Sequence, residues 1–229
     1  MQAQPALHSK LIAEFVGTMT LCAIGIGSIL AGADLLGVAL AHGLAIATMV
    51  TAIGHVSGGH LNPAVTTAMI AFKKIAPVQG LMYIIAQLLG GVAGAGLIMW
   101  LFDGADGIKA FDPTATVGLV GGLSSTSGML LEALATMLLV WVVYGVAVDS
   151  DGAFAKVAGL PIGLVVTMDI LMIGPLTGAT MNPARWFGPN LLLGAWDNAW
   201  VWIVGPILGA LVGGGLYLYG LRPRMGGDS

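Results

Sequence analysis

The chain reads as an all-α membrane protein, six transmembrane helices plus two re-entrant half-helices in an inverted repeat, and three observations lead there. Hydrophobic residues fill 57% of the 229 positions and charged residues only 8%, where a soluble domain carries about 25% charge. Six apolar stretches are each long enough to cross the ~30 Å hydrocarbon core. The triplet Asn-Pro-Ala occurs twice, at Asn62-Pro63-Ala64 and Asn182-Pro183-Ala184, and each copy opens an apolar piece too short to span.

The first stretch, near residues 10–31, carries Glu14; the second, near 36–56, carries His42. The third, near 78–102, holds the run Gly90-Gly91-Val92-Ala93-Gly94-Ala95-Gly96. Helices in lipid gain nothing from burying oil and associate through close backbone packing at such small residues. A connection from about Asp103 to Thr126, acidic at Asp103, Asp106 and Asp112, shows no helical period. The fourth stretch, near 127–148, carries Glu132, and the fifth, near 157–174, carries Asp169 and Ile170. The sixth, near 198–220, repeats the small-residue pattern from Gly205 to Gly215. Trp196, Trp200, Trp202, Tyr217 and Tyr219 lie near span ends and suit interfacial aromatic belts. The first stretch lacks an Ala-x-Ala-like cleavage pattern and is expected to stay in the mature protein.

Even parity puts both termini on one side. Lys10, Lys73, Lys74, Lys156, Arg222 and Arg224 fall on that side and Lys109 and Arg185 opposite, so the positive-inside rule makes the termini cytoplasmic. The acidic connection is then extracytoplasmic.

The two leftover pieces begin at Asn62 and Asn182 and continue for about 11 residues, roughly 16 Å, half of the core thickness. Such half-helices recur where protein lines a cavity, in corresponding positions of repeated halves. The halves do correspond here. Asn62 and Asn182 are 120 positions apart and Glu14 and Glu132 are 118 apart. Gln87-Leu88-Leu89-Gly90 matches Gly205-Pro206-Ile207-Leu208-Gly209 at nearly the same offset. The spacing implies a repeat of about 1–110 and 111–229 within one transmembrane channel domain, 1–229. Each half holds three spans, an odd number, so the second copy is inverted and the half-helices meet near the midplane.

Local chemistry says what each triplet does there. Asn is a favoured N-cap and Pro a favoured first helical residue, so Asn-Pro-Ala is a helix start. With its oxygen held by the backbone, each asparagine amide is expected to aim both N–H donors at the lumen. Donors, together with the positive ends of two helix dipoles, hold a water oxygen-first and oppose cations, hydronium included.

Other classes find less support. A net charge of −3 argues against a nucleic-acid partner, and Cys22, the single cysteine, excludes an internal disulfide and a thiolate metal cluster. No His-Glu-x-x-His occurs and no cofactor or metal is expected. A proton-coupled secondary transporter of a small solute needs a lumen carboxylate, for which Asp169 is the candidate. An intramembrane enzyme would have to use His42, Asp169 or Glu132 without a recognisable nucleophile pairing.

The segments Ser57-Gly58-Gly59-His60-Leu61-Asn62-Pro63-Ala64-Val65 and Thr177-Gly178-Ala179-Thr180-Met181-Asn182-Pro183-Ala184-Arg185 resemble the two signature loops of the aquaporins, the major intrinsic protein family. The likeness extends from Glu14 to the last span. It implies an aquaporin-like right-handed bundle, assembled as a homotetramer in the lipid bilayer, that passes water and small neutral solutes. It also implies a second constriction, made here by His42, Ile170, Ala179 and Arg185. Those four look like the filter of tonoplast-type aquaporins. An apolar wall at Ile170 is then expected to ease passage of ammonia beside water. The glycerol-facilitator branch resembles this chain less, because Trp186 stands where that branch has Asp after the arginine. In the family the glutamates matching Glu14 and Glu132 accept from backbone N–H groups of the re-entrant loops. His55 and His60 read as loop braces or vestibule residues, or as groups that gate the mouth by protonation. Asp169, about 100° around its helix from Ile170, is expected to pack against a polar partner rather than serve the lumen. The short segment before the first span points to a prokaryotic cell (inner) membrane. The favoured reading is a passive, proton-excluding water channel.

Overall fold

A computed structural model of the chain describes residues 5–105, 117–149 and 157–221. Lys109, Lys156, Arg222 and Arg224, on which the sidedness rests in part, and Asp106 and Asp112 of the acidic connection lie outside the described residues.

Eight α-helices form within the described residues: α1 Leu7–Leu30, α2 Leu35–Ser57, α3 Pro63–Ala71, α4 Pro77–Phe102, α5 Ser125–Val143, α6 Gly159–Thr177, α7 Pro183–Leu193 and α8 Trp200–Leu216. α5 and α8 run on through single π turns, Tyr144–Val148 and Tyr217–Leu221. All but α3 and α7 are long and apolar enough to cross a membrane, and their ends fall within a few residues of the predicted spans. α3 has 9 residues and α7 has 11, so neither can span alone.

The stops are written in local chemistry. α2 ends on Gly58 at φ 96° and α6 on Gly178 at φ 82°, left-handed positions that glycine adopts without strain. Each turn throws the chain back into the bundle, where Asn62 and Asn182 start α3 and α7 with Pro63 and Pro183 at the first turn.

Packing repeats between the halves. α1 packs chiefly on α4, α5 on α8, and α2 on α6 across the middle. A Cβ added at Gly90 or Gly94 would run into the Phe15 or Met19 carbonyl of α1; one at Gly209 or Gly213 would meet the Ala133 or Met137 carbonyl of α5. The expected close approach at small residues therefore exists in both halves. Leu44, Leu89, Leu164 and Leu208 are exposed on the outside, the face that hydrocarbon covers in a membrane.

One expectation fails here. Trp202, assigned to an interfacial belt, is 2% exposed. It donates from Nε1 to the Thr177 carbonyl at 3.0 Å and stacks on Trp186, because a buried indole N–H must find an acceptor and the loop after α6 offers one. Trp196, Trp200 and Tyr219 are exposed.

Candidate functional site: a lumen closed by two facing caps

The centre is built from two loops that mirror each other in their caps and in the glutamate behind each. Asn62, extended at φ −156°, accepts the Ala64 N–H on Oδ1 at 2.8 Å. Asn182, at φ −149°, accepts those of Ala184 and Arg185 at 2.9 and 3.3 Å. These are N-caps, as the triplets predict.

The amide nitrogens correct one expectation. Asn62 Nδ2 donates to the Met181 carbonyl at 2.7 Å, and Asn182 Nδ2 donates to the Leu61 carbonyl at 2.8 Å. Each asparagine therefore spends one N–H on the opposite loop and keeps one for the lumen, where two were expected. The reason is geometric: a carbonyl left bare at this depth is costly, and the facing amide is within reach.

Those carbonyls are presented by strained backbone. Leu61 and Met181 both sit in the left-handed region, at φ 51° and 50°, which costs a residue with a side chain on the order of 1–3 kcal/mol. Two buried glutamates hold them. Glu14 accepts from Ser57 Oγ at 2.6 Å, His60 N at 3.0 Å, Leu61 N at 2.7 Å and Gln87 Nε2 at 2.8 Å. Glu132 accepts from Thr177 Oγ1 at 2.7 Å, Thr180 N and Oγ1 at 3.0 Å each, and Met181 N at 2.8 Å. Four charge-assisted bonds apiece are what make a carboxylate tolerable inside a bundle.

A cavity of about 550 Å³ runs through this centre. One end is lined by Lys10, Lys74 and Val148, the middle by Asn62 and Asn182, and the other end by His42, Ile170, Ala179 and Arg185. Exposure at that last end is small: 1% for His42, 2% for Ile170, none for Ala179 and 8% for Arg185. The wall between is apolar, with Leu21, Ile46, Val65, Leu139, Ile162 and Val166. His60 also lines the cavity; its Nδ1 pairs with Thr66 Oγ1 at 3.1 Å and its ring meets Tyr83 edge-on. His55, in the last turn of α2, is exposed and away from it.

Pro63, Ala64, Pro183 and Ala184 are buried behind the asparagines and do not line the cavity. Nor do Glu14 and Glu132. Among the described residues no carboxylate lines it. Asp169 is fully buried with neither oxygen bonded to a described residue, so the polar partner expected for it is not among them. Arg185 Nε is likewise without a partner among the described residues. The guanidinium stands in the first turn of α7, at the end of the cavity that His42, Ile170 and Ala179 also line.

Several braces escaped the sequence reading. Tyr83 donates its hydroxyl to the Ser57 carbonyl at 2.9 Å, and Gln87 bonds both Glu14 and Thr66. Ser57 corresponds to Thr177, Leu61 to Met181 and Tyr83 to Trp202, all at offsets of 119 to 120. Applying the repeat spacing to every polar residue, not to the triplets alone, was the available signal.

Comparison with known proteins bears on this geometry. The family model described as Major intrinsic protein matches residues 1–217. Aquaporin NIP3-1 of Arabidopsis thaliana is 40% identical over 218 residues, covering 93% of this chain and 67% of that protein. Aquaporin-4 of Mus musculus is 38% identical over 229 residues, covering 95% and 69%. The X-ray structure of the aquaglyceroporin from Plasmodium falciparum superposes with a TM-score of 0.83 at 25% identity, covering 95% of this chain and 98% of that one.

Proposed function

The chain belongs to the major intrinsic protein family, and from that premise we propose that it is a passive water channel that excludes protons and admits ammonia. Membership makes it a multi-pass membrane channel for water or small solutes, not an enzyme. The finer reading rests on the reciprocal caps. Each asparagine keeps a single N–H for the lumen, and two half-helices begin beside it with their positive ends inward. A water at this point binds through its oxygen to donors above and below. Its own hydrogens then point up and down the file in opposite senses, and the relay a proton needs is broken.

Selectivity follows from His42, Ile170, Ala179 and Arg185. Arg185 repels cations, and the apolar Ile170 wall lets a small neutral amine pass beside water. The tonoplast-type likeness rests on these four residues alone. Glycerol is expected to pass poorly, since Trp186 takes the place of the glycerol branch's Asp and is locked between Trp196 and Trp202. Coupled transport is the weaker reading, as no described carboxylate faces the cavity.

The same reading gives one channel domain over 1–229, with inverted repeats of about 1–110 and 111–229. It makes the assembly a homotetramer in a cell membrane, with both termini cytoplasmic. Stopped-flow light scattering on vesicles holding the purified protein tests it. Water and ammonia permeabilities are expected well above those of empty vesicles, with glycerol near the lipid background; glycerol passing as fast as water would overturn the filter assignment.

A further inference from the structure

The His42 ring is gripped at both ends. Its Nδ1 lies 2.8 Å from the Val38 carbonyl; since a carbonyl only accepts, Nδ1 carries the proton and the neutral ring's Nε2 is the bare nitrogen. That other end, Nε2 with Cδ2 and Cε1, lies over Gly25 of α1, in the space where any side chain would place its Cβ. A methyl there would overlap the imidazole itself. Gly25 is buried on α1 about one turn from Leu21, and both Leu21 and the ring seated on Gly25 line the cavity. At the repeat spacing that relates Glu14 to Glu132, the corresponding residue of the second half is Val143, a lumen-lining side chain at the opposite end of the cavity. A side chain fills that position, so no notch is cut there.

We propose that Gly25 is the positioning residue of the filter: the missing side chain on α1 forms the seat that sets how far the His42 imidazole stands into the lumen opposite Ile170 and Arg185. The inference rests on the filter reading above and extends it to a residue that touches no permeant. A ring held back by the Val38 bond has two directions to move when the seat is filled. One is along its own helix, which the Nδ1 bond and the α2 backbone oppose; the other is into the lumen. Filling the seat therefore narrows the opening and turns Nε2 toward the passing solute.

The test is a double-mutant cycle on Gly25→Ala and His42→Ala, measured as water and methylamine permeability of reconstituted vesicles normalised to inserted protein. Gly25→Ala alone is expected to lower water permeability about fivefold or more and methylamine further still. In the His42→Ala background the same substitution is expected to change neither, because the ring it displaces is gone. An equal loss in both backgrounds would show that the methyl acts through α1 in general and would overturn the seat while leaving the filter reading intact. No change in either permeability on His42→Ala alone would remove both. Should Gly25→Ala fail to fold, Gly25→Ala/His42→Ala is expected to restore the folded yield and thermal midpoint; a double variant that also fails would overturn the proposal.

Discussion

Glu132→Gln keeps the length of the side chain and removes its charge, and the hydrogen bonds around it let the cost be worked out. Each carboxylate oxygen accepts one hydroxyl, from Thr177 or Thr180, and one backbone N–H, from Thr180 or Met181. In the amide one of those oxygens becomes NH2. The hydroxyl beside it can rotate and accept, but the backbone N–H cannot, so one buried donor is left facing another. A buried N–H without an acceptor costs about 1–3 kcal/mol, and the surviving backbone bond falls from charge-assisted to neutral for about 1 kcal/mol more. The sum, about 2–4 kcal/mol, is a large share of the roughly 5–15 kcal/mol that stabilises a domain. For a chain of this size it lowers the thermal midpoint by about 5–15 °C. Whichever oxygen is lost, Thr180 N or Met181 N loses its acceptor, which loosens the loop that holds Met181 left-handed and presents its carbonyl to Asn62. The assay pairs thermal unfolding in detergent with stopped-flow water permeability per folded channel, which is expected to fall at least tenfold. An unchanged midpoint together with unchanged permeability would refute the claim that Glu132 holds the loop.

Arg185→Val is expected to let cations through while water flow stays within about twofold, since the guanidinium is a fixed charge and not part of the central caps; the check is vesicle conductance, and unchanged exclusion would take Arg185 out of the filter. Ile170→His replaces an apolar wall with a polar one at a position only 2% exposed, and ammonia permeability should fall more than water permeability; equal losses would count against the assignment. Mercurials should not block the wild-type lumen, because Ala179 lines the cavity where a cysteine would be reached, and Cys22 is fully buried and does not line it. Ala179→Cys should make water flow mercury-sensitive and reversible by thiol, and persistent insensitivity would place position 179 elsewhere.

Much of this was legible because the governing constraints are written locally. Apolar runs of spanning length, glycines spaced four apart and a capping Asn followed by Pro each have one dominant physical reading in lipid. The two half-helices were legible for the same reason, as pieces too short to span yet opened by a strong cap. What stayed hidden depends on tertiary geometry. Nothing in Leu61 or Met181 announces a left-handed backbone, because residues of this kind adopt it only when partners such as Glu14 and Glu132 over-determine it. The division of each asparagine's two N–H groups needed the facing loop to be in place. Trp202 looked interfacial because position near a span end says nothing of rotation about the helix. The seat at Gly25 was invisible for a related reason: an absent side chain carries meaning only beside the ring that occupies its space.

The account turns on water passing the paired asparagine caps while protons do not. Vesicles holding the purified protein and a pH-sensitive dye are subjected in turn to an osmotic step and to a pH step under a clamped potential. Water flux should rise in proportion to protein content while proton flux stays at the level of empty vesicles. A proton flux that climbs with protein content in step with water flux would contradict it.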